Sequence, residues 1–71
     1  MPHMIKFSGD HWCMVHLRPN SDVVQVAGNI ENEDCAKAFA DLNRQRGGYV
    51  FCVCTAGELV AALELLRSRK G

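Results

Sequence analysis

The chain carries no net charge, its 8 Lys and Arg being balanced by 8 Asp and Glu. That absence removes the basic footprint with which a protein neutralises phosphates, so no nucleic-acid partner is expected. Arg67, Arg69 and Lys70 do cluster, but as the solvated end of a last helix. No apolar run approaches the roughly 18 residues that cross a bilayer, and no membrane partner is expected either. The start, Met1-Pro2-His3-Met4, has neither the charged n-region nor the apolar h-region of a secretory signal. A cytoplasmic location is therefore expected, and with it four reduced thiols in place of a disulfide framework. The chain also lacks a G-x-x-x-x-G-K phosphate loop, a dinucleotide glycine fingerprint, internal repeats and linkers. No carboxylate pair is set for acid–base work: Glu31, Glu33 and Asp34 crowd one helix start, where they complement the helix dipole. No cofactor is expected and no catalytic residue is assigned.

What is present fits one globular domain over residues 1–71, with 1–3 as a flexible lead. The apolar fraction is 48% and the charged fraction 23%, ordinary values that argue against disorder. A chain this short buries only about 60% of its unfolded surface, so a partner surface adds needed stability.

Alternation and punctuation give the order of elements. Residues 4–7 alternate, and Ser8-Gly9-Asp10 reads as a hairpin loop into a strand over 11–17. Along that strand His11, Cys13, Val15 and Leu17 point one way, and Trp12, Met14 and His16 the other. Residues 18–22 are turn formers, and Pro19 stops the ladder. Residues 23–27 form a second strand whose run of β-branched residues predicts burial on both sides or a central place, with Gly28-Asn29 ending it. The first helix starts near Glu31 with Asn29 or Asn32 as N-cap, and Cys35, Ala38, Phe39 and Leu42 make its apolar stripe. Arg44-Gln45-Arg46 and Gly47-Gly48 end it. A strand over 49–54 follows, its near-continuous hydrophobicity placing it inside the sheet. Thr55 and Glu58 then form a capping box for the last helix, whose stripe is Leu59, Ala62, Leu63 and Leu66, widened by Val60 and Leu65.

The order (β)ββαβα predicts an α/β fold of the α+β two-layer kind: a small mixed sheet of three to four strands with two helices packed on one face. Such a sheet leaves one face or edge open, and an open apolar face implies a partner. Trp12, Met14, His16, Val24, Tyr49 and Phe51 are the residues expected to form that binding surface.

The cysteines offer a different chemistry. Cys52 and Cys54 share a strand face at roughly 6.5–7 Å between Cα atoms, at or beyond disulfide reach. Their Cys-x-Cys spacing is not that of a redox pair, and both read first as small buried hydrophobes. Cys54, one residue before a helix cap, is the candidate reactive thiol, although no histidine is tied to it as a base. His11, Cys13, Cys52 and Cys54 are of the types that bind tetrahedral zinc, in an irregular spacing.

Residues 23–30, Val-Val-Gln-Val-Ala-Gly-Asn-Ile, followed by an alanine-containing helix resemble the strand-Gly-x-Leu/Ile-helix passage of STAS domains, the anti-sigma-factor antagonist-like family. Cys54-Thr55-Ala56-Gly57 before an apolar helix is similar to that family's Asp-Ser-Ser-Gly-Leu turn. The resemblance spans residues 23–66 and implies a regulatory phosphosite at Thr55. Cys54 stands in place of the family's acidic residue, Ala56 in place of its second serine, and the family's final strand and helix have no counterpart.

Taken together, the residues point to a small non-enzymatic protein-interaction module, regulatory or inhibitory, working through a sheet face or edge. Its partner is a second copy of itself, a regulatory target, or both. A thiol or metal site built on Cys52 and Cys54 with Cys13 and His11 is the alternative.

Overall fold

The computed structural model describes residues 3–20, 22–42 and 49–70. Its elements run β1 (His3–Lys6), β2 (His11–Leu17), β3 (Val23–Ile30), α1 (Glu33–Leu42), β4 (Tyr49–Val53) and α2 (Ala56–Lys70). The four strands form one mixed sheet in the order β1-β4-β2-β3. The α+β class, the mixed sheet, the two helices and the order of elements are those read from the sequence.

The apolar run of β4 accounts for its place. Val50, Phe51, Cys52 and Val53 are all buried, which suits a strand with neighbours on both edges. It pairs in parallel with β1, placing Ile5 opposite Phe51, and antiparallel with β2, placing Cys13 opposite Phe51. The hairpin expected at residues 8–10 is therefore absent, because β4 lies between β1 and β2. The connection instead crosses the carboxyl end of β4. The Phe7 amide donates to the Cys52 carbonyl at 2.9 Å, and the Cys52 thiol donates to the Gly9 carbonyl at 2.8 Å. A Cβ on Gly9 would sit 2.0 Å from the Cys54 nitrogen, so only glycine fits this crossing.

The strand expected to be buried on both sides or central, β3, is an edge strand paired only with β2 among the described residues. Its β-branched residues are half-buried because each meets one helix-covered face and an open edge. Gly28 and Asn29 do not end it. Trp12 pairs with Ile30 and Met14 with Ala27, so three steps on β3 match two on β2, and a second irregularity follows before the Val15–Gln25 pair. Asn29 takes the left-handed conformation at φ 57°, the strand continuing through a bulge where a stop was expected.

The two helices, expected on one face, lie on opposite faces of the sheet. Trp12, Met14, Val50 and Cys52 pack with Ala36 and Ala40 of α1, while Cys13, Val15, Phe51 and Val53 pack with Ala62 and Leu66 of α2. The two inner strands are apolar on both faces, so each face needs its own cover, and a one-sided arrangement would expose one of these sets to water. The result is three layers.

Local signals at the helix starts hold. The Asn32 side-chain oxygen accepts from the Asp34 amide at 2.7 Å and the Cys35 amide at 3.3 Å, capping α1. The Thr55 hydroxyl accepts from the Glu58 amide at 3.1 Å, and the Glu58 carboxylate accepts at 2.7 Å from the amide of Cys54, one residue before the cap. The stripe of α2 also holds: Ala62 and Leu66 are buried and Leu59 and Leu63 half-buried, whereas Val60 and Leu65 stay exposed. That of α1 is rotated. Ala36 and Ala40 face the sheet, and Cys35, Ala38, Phe39 and Leu42 turn away from it. Two alanines allow a close helix–sheet approach that Phe39 and Leu42 would prevent. The expected stop at residues 44–48 lies outside the described residues. No described helix is long and apolar enough to cross a membrane.

Candidate functional site

With both faces covered, the surface expected from the sheet is largely internal. Trp12 is 8% exposed and Met14 0%, both beneath α1, and Phe51 is 0% exposed beneath α2. None of the three is available to a partner while the helices are seated. His16 and Val24 pair across β2 and β3 and are half-buried, as is Tyr49. The Tyr49 ring stacks 6.4 Å from that of Phe51 and lies 5.4 Å from that of His3. The His16 Nδ1 is buried with no hydrogen-bond partner among the described residues.

The chemistry-bearing residues gather elsewhere. Both β3 and β4 run antiparallel to β2 and so parallel to each other, and each hands its carboxyl end to a helix. Because α1 takes one face and α2 the other, the chain parts at that end of the sheet, the place where open α/β sheets form crevices. A cleft of about 240 Å³ lies there. Its walls are His11 to Cys13 from β2, Gln25, Gly28 and Asn29 from β3, and the passage from Val53 to Ala56 leading into α2.

Three of the four expected thiol or metal residues, His11, Cys13 and Cys54, line this cleft. Cys52 does not: alternation sends it to the α1 face, where it is 2% exposed and bonded to the Gly9 carbonyl. The expected quartet is thus split by the sheet, and no group of three His, Cys, Asp or Glu among the described residues is close enough to hold a metal ion. Burial pushes the Cys13 thiol above its ordinary range. Burial raises Cys52 as well, opposed by Lys6 and reinforced by Asp10, Glu58 and Cys54. Both are therefore neutral thiols at ordinary pH, unlike the thiolate a nucleophile or zinc ligand needs.

Cys54 and Thr55 are exposed at the start of α2. The Glu58 carboxyl is held below its usual range by the Ser8 hydroxyl and then by the Cys54 amide, both donating to it. On the opposite wall the His11 Nε2 lies 3.8 Å from a Glu31 carboxylate oxygen, both side chains well exposed. Gln25, Gly28 and Asn29 were missed as site residues. Their signal was the Gly28-Asn29 dipeptide, which marks a strand end and a bulge equally well.

A second feature is the outer side of α1. Cys35, Ala38, Phe39 and Leu42 recur at i, i+3, i+4 and i+7 and are all exposed, with Leu42 at 79%. The polar side of the same helix carries Lys37, whose ammonium lies 3.6 Å from Glu33.

No protein-family model, curated protein or solved structure matches the chain.

Proposed function

We propose that this protein is a small non-enzymatic interaction module, regulatory or inhibitory, that acts as a homodimer through the outward stripe of α1. The observation that carries the reading is that stripe: Cys35, Ala38 and Leu42 recur one turn apart on the exposed side of the helix. A continuous ridge of this kind pairs with its copy on another helix, each copy covering what the other exposes. A net charge of zero leaves no global repulsion against self-association. The exposed apolar residues of α2, Val60 and Leu65, stand five positions apart and form no such row. The cytoplasm is the compartment proposed, since all four cysteines are free.

Light scattering on size-separated protein tests the reading. The native chain should elute at twice its formula mass, and Leu42→Glu, which changes a side chain that is 79% exposed, should leave a folded monomer. A native chain that stays monomeric at high micromolar concentration overturns it.

One observation favours a second, regulatory reading. Thr55 presents an exposed hydroxyl at the N-cap of α2, where added phosphate charge meets the helix dipole, as the STAS resemblance implies. A Thr55→Glu protein whose self-association matches that of the native chain would count against such a switch.

A further inference from the structure

We propose that the cleft at the carboxyl ends of β3 and β4 is a binding site for a small, neutral, planar heterocycle with amide-type edges, of the size and hydrogen-bonding pattern of a nucleobase. Its position follows from the topology. On this face α2 packs mainly over β4, so the β2–β3 side beside the first turn of α2 is left as a recess. The recess is open to solvent, but its floor is the protein's own core, including Cys13, Val53 and Leu59.

The chemistry of the lining selects the ligand. Among the described residues, no Lys, Arg, Asp or Glu contributes to the cleft wall. A divalent metal would find no carboxylate there, and an anion no Lys or Arg, only the His11 imidazole and the first turn of α2. What the wall does supply are two primary amides, Gln25 and Asn29, and the Thr55 hydroxyl. A primary amide presents a donor and an acceptor side by side, the complement of an amide-type ring edge. The Gln25 side chain lies against the backbone of Gly28, where a Cβ would come 2.6 Å from its Nε2 atom. The bulge that sets Asn29 at φ 57° places that residue in the same wall. The apolar floor offers contact to the faces of a flat ring. At about 240 Å³ the cleft falls below the range that holds drug-sized molecules, about 300 Å³ and upward, which fits one ring or two fused rings.

The full-length protein can be titrated separately with adenine, uracil and nicotinamide, and with inorganic phosphate and magnesium ion as charged comparators, while backbone amide resonances are followed. A saturable shift is expected at Gln25, Asn29 and Thr55 with at least one heterocycle and with neither comparator. Alkylation of Cys54, which lines the cleft, should slow severalfold under saturation, while Cys35, exposed on α1, should react at its unliganded rate. Asn29→Gly keeps a backbone that tolerates positive φ, and Gln25→Leu changes an exposed side chain, so both should fold. Each should weaken binding by about ten-fold, since an amide partner of the ring is lost. The site is overturned if no heterocycle gives a saturable shift, if phosphate binds as tightly, or if both variants bind like the native chain. Because none of Cys35, Ala38, Phe39 and Leu42 lines the cleft, these outcomes are read separately from dimerisation.

Discussion

Gly9 sits where the chain after β1 passes over the end of β4, with neighbouring backbone 2.0 Å from where a Cβ would be. Those neighbours are backbone atoms of Val53 and Cys54 in the middle of the sheet's end, so they cannot turn aside as a side chain would. Gly9→Ala is therefore expected to destabilise the fold by about 3 kcal/mol or more, read as a lower urea midpoint. The sequence marked this glycine only as a turn former, because a crossing is a contact between residues more than forty apart and leaves no local trace. The cysteines divide just as sharply. Cys35 and Cys54 are exposed, while Cys13 and Cys52 are buried, so a thiol reagent should modify two groups quickly and two only as the protein unfolds. Four equally fast thiols would contradict the packing. The buried pair also sets an alkaline limit. Their folded-state affinity for protons is raised by burial, so their contribution is fully present below the unfolded value of about 8.5 and is lost as pH rises beyond it. Thermal midpoints should accordingly fall above about pH 8.5.

At the scale of elements, what is encoded locally was legible and what depends on neighbours was not. β2 appears over the residues whose alternation announced it, and Thr55 with Glu58 caps α2 as the spacing required. These signals act within a few residues of themselves. The α1 stripe failed because the helix has two apolar rows, and size selects between them: Ala36 and Ala40 fit against the sheet where Phe39 and Leu42 would hold the helix off. β3 was read as buried on both sides or central because Val23, Val24 and Val26 suit burial on both faces, but an edge strand that lends Val26 to the core on the α1 side and Val23 to the core on the α2 side also needs apolar residues on both faces. The Asn32 cap gives a prediction at this scale. Asn32→Ala leaves the Asp34 and Cys35 amides without their side-chain acceptor and should cost about 1 kcal/mol, measurable by denaturant titration. A neutral result would mean that water replaces the cap at no cost.

For the whole molecule, the decisive fact is that each face of the sheet has its own helix. Element order alone allowed one face or two, since a helix following a strand can fold back on either side. The alternation of β2 and β4 held the information: both faces of both strands are apolar, and covering only one would leave Trp12 and Met14, or Phe51 and Val15, in water. Closing both faces moves the surface available to a partner from the sheet to the helices, and it gathers His11, Cys13 and Cys54 into the cleft where the two helices part. The cleft's other wall was invisible beforehand because Gln25 and Asn29 reach it only through a bulge. The proposed self-association through α1 is tested most directly by isotope-filtered nuclear Overhauser spectroscopy on a mixture of labelled and unlabelled protein. Contacts are expected between the Leu42 methyl groups of one protomer and α1 of its partner. Contacts confined to the β3 edge, or none at a concentration well above any weak association, would contradict it.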